Sequence, residues 1–203
     1  MNKHSIRNYG LLVCSVLFVL SFAVPYTPTP YIFPELVLFP PMPTNDQNPV
    51  TVEGAELGRH LFYDRTLSRN FNLSCASCHQ QQQAFSSDSL HRQSKRNAMP
   101  LFNLAWYPSF FWDGRAASIE ELVFHPVRDA LEMNLDWPTA VYRLQQNPYY
   151  QTQFTKVFGT PTIDSNLVAK AIGQFLRTLI SNQAKIDQVL LGKATLTTDE
   201  YDG

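Results

Sequence analysis

Ser74-Cys75-Ala76-Ser77-Cys78-His79 is the stretch that decides how the rest of this chain is read. Two cysteines three positions apart share one helical turn, and the histidine after them can reach a metal held beside that turn. At this spacing both thiols can form thioethers to a haem while His79 ligates the iron. Three other chemistries use paired cysteines. A redox pair is expected beside a βαβ unit, which is absent from the pattern here. Zinc asks for two more Cys or His ligands, which His60 and His91 supply only weakly. A structural disulfide leaves His79 without a role. The third cysteine, Cys14, stands in the middle of an apolar run at the N-terminus and reads as part of a segment removed on export.

Outward from that motif the chain reads as helices, with no run of period-2 alternation. Thr51 is placed to cap a helix through Gly54, Leu57, Leu61 and Phe62 to about Tyr63. Ser118 with Glu121 forms a capping box for another. Asp136 before Trp137-Pro138 starts a third, and Asn147-Pro148 a fourth that ends near Gly159. The strongest periodicity runs from Asp164 to Ser181, where Leu167, Val168, Ala171, Ile172, Phe175, Leu176, Leu179 and Ile180 form one apolar stripe. A further short helix ends at Gly192, and Thr197 with Glu200 looks like a capping box for a helix without room to form before Gly203. The expected fold is all-α, a cytochrome c-like helical haem domain.

The N-terminal quarter differs in character. Lys3 and Arg7 precede an apolar run from Leu11 to Val24, shorter than the roughly 20 residues needed to span a bilayer, with a plausible cleavage site after Ala23. Residues 1–23 are therefore expected to be a signal peptide and the protein periplasmic, the side of the membrane on which c-type haem is attached. Residues 24–50 carry Pro25, Pro28, Pro30, Pro34, Pro40, Pro41, Pro43 and Pro49, which exclude a helix and favour extended chain. With Tyr31, Ile32, Phe33 and Leu36 to Phe39 among them, this leader is as well suited to strap the domain as to link it. The 203 residues, 44% hydrophobic and 16% charged, suit one core, and a net charge of −1 gives no reason to bind nucleic acid.

Several further stretches, in order, resemble the bacterial di-haem cytochrome c peroxidases and their relatives of the methylamine-utilisation type. They are Glu56-Leu57-Gly58-Arg59-His60-Leu61-Phe62-Tyr63-Asp64, Leu67-Ser68, the haem motif, and Lys95-Arg96-Asn97-Ala98-Met99-Pro100. Phe111-Trp112-Asp113-Gly114-Arg115-Ala116, Leu131-Glu132-Met133-Asn134 and the helix Ala169 to Leu179 complete the set. The resemblance runs from about Thr51 to the end. It implies residues 51–196 as the N-terminal, peroxidatic haem domain and residues 197–203 as the start of a truncated second haem domain, whose C-x-x-C-H motif does not occur in this sequence.

The resemblance also implies roles. His79 is the proximal ligand, Cys75 and Cys78 attach the haem, and Glu132 is the distal acid/base. Trp112 helps electrons cross between haems, and core packing is its plainer reading. Arg115 binds a haem propionate, or else pairs with Asp113 in the turn. Asn97 resembles a protein ligand to calcium. Leu122 departs from the family, which carries a glutamine there, so the distal side is expected to be less polar. His60, His91 and His125 read as structural or exposed, although His125 stands close to the distal region. The implied activity is reduction of hydrogen peroxide to water with electrons from a small cytochrome c or copper protein, with a homodimer as the possible assembly. An oxidase acting on a protein or small molecule, and an electron-transfer cytochrome, are the alternatives.

Overall fold

The computed structural model describes residues 26–87 and 96–203, so the expected signal segment and His91 lie outside the described residues. Eight α-helices order the described part: α1 (Val52–Tyr63), α2 (Cys75–Cys78), α3 (Ile119–Arg128), α4 (Trp137–Gln145), α5 (Pro148–Phe158), α6 (Ser165–Thr178), α7 (Lys185–Leu190) and α8 (Thr198–Asp202). Among the described residues there is no strand, only isolated bridges such as Pro30–Thr51 and Phe110–Ala116. No helix among them is long and apolar enough to cross a membrane.

Helix α6 is the central element. Asp164 caps it by accepting from the Leu167 amide at 2.8 Å, and its stripe of Val168, Ala171, Ile172, Phe175 and Leu176 is buried as the periodicity predicts. Ala169, Gly173, Gln174 and Arg177 are buried too, because α1 and α3 flank the helix on different sides. Helix α1 crosses α6 at van der Waals distance. A Cβ placed on Gly58 would stand 1.9 Å from the Ala171 carbonyl oxygen, so only glycine lets the two backbones meet. Helix α5 packs on α1, and α4 packs on α5 and α6 to complete the core.

The proline-rich leader lies along the domain and is tied to it by polar contacts. Val52 donates to the Thr29 carbonyl and Tyr31 to the Val50 carbonyl, at 2.9 and 3.0 Å. Buried Glu53 accepts from the Thr29 amide at 2.8 Å, from its hydroxyl at 3.0 Å, and from the Tyr26 hydroxyl. Burial pushes the Glu53 carboxyl up, but these donors outweigh it and hold it down at about 2. Farther along, the Trp106 indole donates to the Pro40 carbonyl at 3.2 Å and stacks on Phe39.

Buried Asn48 joins the leader to a polar network inside the fold. Its amide donates to Glu120 at 2.7 Å and to the Lys170 carbonyl at 3.0 Å, and its oxygen accepts from Gln174 at 2.9 Å. Glu120 in turn receives both arms of Arg177, at 2.8 and 3.0 Å. Burial raises the Glu120 carboxyl, yet the Arg177 guanidinium and Asn48 bring it below its ordinary 4.5. A lowered carboxylate contributes stability that is complete above 4.5 and lost as pH falls through the folded value. Thermal melts of Glu120→Gln should therefore lie below wild type at pH 7, and the gap should narrow toward pH 3. A gap that does not depend on pH would exclude the ionised pair as the source.

At the C-terminal end the structure corrects the sequence reading. Thr198–Asp202 does form a helical turn. The Glu200 amide donates to the Thr197 hydroxyl at 3.3 Å and the Thr197 amide to the Glu200 carboxylate at 2.8 Å, so reciprocal capping satisfies the donors of a turn this short. Lys185 pairs with the same carboxylate and holds the turn beside α7.

Candidate haem site

The haem motif forms the single turn of α2, opened by Ser74, whose amide donates to the Ser77 hydroxyl at 2.9 Å. Cys75 and Cys78 are half-buried on this turn and are not joined to each other by a disulfide. The chain then doubles back through Ala84 and Phe85, both in the left-handed region at φ 56° and 53°. That turn brings the Phe85 carbonyl to 3.0 Å from His79 Nδ1. A carbonyl only accepts, so Nδ1 carries the proton and Nε2 keeps its lone pair for a metal. Burial lowers the His79 pKa against the pull of the Phe85 and Met99 carbonyls and favours the neutral, ligating form. Burial also pushes the Cys75 thiol up to about 12 and raises Cys78.

These three side chains form one wall of a cavity of about 200 Å³. Phe62 of α1, Leu122, Val123 and Pro126 of α3, and Ile172 and Leu176 of α6 form its apolar surround. Glu132 lines the same cavity, and its charge adds to the upward shift of both thiols.

Glu132 stands on the turn between α3 and α4, which is held by backbone bonds. The Asp129 carbonyl accepts from Glu132 and Asn134 at 3.0 Å each, Met133 donates to Pro126 at 3.1 Å, and Leu135 donates to Val127 at 2.8 Å. Asp129 Oδ1 accepts from the Leu131 amide at 2.8 Å, and Asn134 takes a φ of 49° to close the turn.

The aromatic block lies at the mouth of the cavity. Residues Phe110 and Ala116 bridge, and Gly114 turns the chain between them at φ 70°, a conformation that favours glycine. Trp112, 62% exposed, lines the cavity from there and donates its indole N–H to the Asn97 carbonyl at 2.9 Å. Arg115 also lines it. Its guanidinium lies 3.6 Å from the centre of the Phe111 ring and donates to both oxygens of Asp113 at 2.9 and 3.0 Å. Asp113 accepts from Arg96 as well, at 3.0 Å. The two guanidiniums hold its carboxyl below the usual range, Arg115 contributing most.

The structure thus brings Cys75, Cys78, His79, Asn97, Trp112, Arg115, Leu122 and Glu132 around one cavity. His60 and His125 do not line it. His60 packs edge-on against Tyr149, and His125 against Phe111. Among the described residues no three His, Cys, Asp or Glu side chains converge as a metal cluster. Two contributors escape sequence reasoning. Phe85 acts through its carbonyl, and a carbonyl leaves no signature in the residue type. Met133 is buried beside Glu132 with nothing but its neighbour to mark it. The donor set, two thiols on one turn and a buried neutral imidazole with a fixed tautomer facing an apolar cavity, fits an iron porphyrin.

Comparison with known proteins agrees with that chemistry. The family model described as di-haem cytochrome c peroxidase matches residues 52–195. The methylamine utilization protein MauG of Methylophilus methylotrophus is 38% identical over 157 residues, which are 74% of this chain and 47% of that protein. Cytochrome c551 peroxidase of Nitrosomonas europaea is 33% identical over 172 residues, 81% of this chain and 51% of that protein. The chain spans about half the length of these curated relatives. Among solved structures, a MauG-like protein associated with microbial copper homeostasis superposes with a TM-score of 0.73 at 29% identity, over 83% of this chain and 51% of that one. The diheme peroxidase BthA from Burkholderia thailandensis shares the fold, with a TM-score of 0.65 at 22% identity over 76% of this chain and 46% of that one. With a helical fold, a C-x-x-C-H turn and a carboxylate lining one cavity, and a family match over most of its length, this chain belongs to the di-haem cytochrome c peroxidase family.

Proposed function

We propose that this chain is the peroxidatic haem domain of an exported di-haem peroxidase that reduces hydrogen peroxide to water. The observation that carries the reading is the placement of Glu132 and the Cys75–His79 segment on the walls of one apolar cavity. A haem bound there supplies an iron that takes up peroxide and passes electrons. Cys75 and Cys78 would attach it covalently, and His79 would hold its iron through Nε2. Glu132 takes a proton from the near peroxide oxygen and returns it to the far one as the O–O bond breaks. Two electrons and two protons convert one peroxide to two waters.

Trp112, which lines the cavity and is exposed, would serve to pass electrons inward from a second haem. That haem falls outside these residues, because only one C-x-x-C-H stands in them. The electrons come from a small cytochrome c or copper protein. Arg115 holds a propionate while keeping its pairing with Asp113. Asn97 supplies a calcium ligand. Residues 1–23 direct export to the periplasm, residues 24–50 strap the haem domain of residues 51–196, residues 197–203 open the second domain, and the protein works as a homodimer.

Leu122, buried in the cavity wall, favours one other reading. Without a second hydrogen-bonding side chain there, oxidising equivalents could serve oxidation of a protein or small molecule instead. Optical and spin-resonance spectra of the half-reduced intact gene product, before and after one equivalent of peroxide, test both. A high-spin ferric signal consumed by peroxide, with turnover sustained by a small redox protein, is expected. Consumption without such turnover would favour the oxidase, and a low-spin haem indifferent to peroxide would leave an electron carrier.

A further inference from the structure

The segment between α1 and α2, residues 64–74, is bonded to the turn that carries Glu132 and runs directly into the turn that carries Cys75 and Cys78. On one side the Arg69 amide donates to the Met133 carbonyl at 2.9 Å, the residue beside Glu132. On the other, the hydroxyl of buried Ser68 accepts from the Leu73 amide at 3.1 Å, one residue before Ser74 opens the haem-binding turn. Within the segment the Ser68 amide donates to the Arg65 carbonyl at 3.0 Å and the Phe71 amide to the Ser68 carbonyl at 3.2 Å, and Phe71 sits in the left-handed region at φ 55°.

A further hold comes from Arg143, in the last turn of α4. Its guanidinium donates to the carbonyls of Thr66 at 3.2 Å, Ser68 at 2.8 Å and Arg69 at 3.2 Å, and lies 4.1 Å from the centre of the Phe71 ring. One planar fork thus binds three carbonyls of one loop, and a fixed charge strengthens each bond. Arg143 is not among the residues lining the cavity.

We propose that Arg143 is a positioning residue that sets the Glu132 turn against the Cys75–His79 segment by clamping the loop that bridges them. The role in turnover rests on Glu132 being the acid/base proposed above, but the mechanical coupling does not. Lysine cannot replace the fork, since an ammonium is a point donor without the planar reach to three carbonyls.

The test uses the intact holoprotein as wild type, Arg143→Lys and Arg143→Met. Hydrogen exchange is followed in peptides covering residues 65–73, 129–135 and 165–178. In Arg143→Met, exchange should rise about ten- to a hundred-fold together in the first two, as expected for loss of charge-assisted bonds, with residues 165–178 unchanged. Arg143→Lys, which keeps the charge and the fold, should show the same pattern at smaller size. With haem content equal to wild type, kcat for peroxide should fall about tenfold with KM little changed.

Exchange that rises in 65–73 but not in 129–135 would overturn the coupling, as would no change in either. So would equal loosening of 165–178 in the lysine variant, which would make Arg143 a general stabiliser. A wild-type protein without peroxide turnover would sink the proposed function, while the exchange pattern would still decide the clamp.

Discussion

Glu132→Gln in the intact holoprotein is expected to lower kcat for peroxide by about a hundred- to ten-thousand-fold, the usual contribution of a positioned acid/base. Glutamine keeps the size and the hydrogen-bonding capacity of the side chain but can neither take nor return a proton. The turn that carries it is set by backbone bonds from Asp129, Pro126 and Val127, so the substitution leaves the geometry in place. kcat/KM should fall with kcat, because the missing step belongs to the transition state and not to peroxide binding. Haem content and the resting spectrum should match wild type, which separates lost chemistry from lost cofactor. Turnover within about twofold of wild type would remove Glu132 from the mechanism.

Gly58→Ala is the largest expected loss of stability. The added methyl would stand 1.9 Å from the Ala171 carbonyl oxygen and 2.9 Å from Phe175 Cβ, so α1 and α6 must separate. Helix propensity favours alanine by up to about 1 kcal/mol. Overpacking against backbone outweighs this, for a net loss of about 3 kcal/mol and a fall in Tm of about 6–12 °C.

Gly54→Ala is the natural control. Its Cβ would meet the Gln174 side-chain oxygen at 1.9 Å, and a side chain can turn away, so the loss should be smaller. Because α6 carries Ile172 and Leu176 to the cavity wall, Gly58→Ala should also lower haem retention. Melting at or above the wild-type temperature would show that the two helices are not in the contact described.

How much of this was legible beforehand differs from element to element. Local chemistry was read correctly wherever one residue type does one local job. Thr51, Ser118, Asp136, Asn147 and Asp164 all cap the helices expected of them, and the C-x-x-C-H spacing holds its donors on one turn. The turn after Thr197 was misjudged because reciprocal capping lets a helix exist with almost no interior. Gln174 and Arg177 were invisible as core residues. A stripe marks which positions are apolar, and no pattern shows that a second and third helix will close over the polar ones.

The sequence by itself determined most of the helices and their caps, the C-x-x-C-H turn and, through ordered motifs, the family. These depend on neighbours within a few positions, where the chain's own geometry sets the distance. Tertiary structure alone decided what faces the haem turn. Glu132 shares a cavity with Cys75 although 57 residues separate them along the chain, and the His79 tautomer is set by a carbonyl six residues away. Likewise the loop before the C-x-x-C-H turn gives its Ser68 and Arg69 carbonyls to Arg143, more than seventy residues distant along the chain. Carbonyls and close backbone approaches carry these relations, and since every residue has the same backbone, only the fold can show which ones meet.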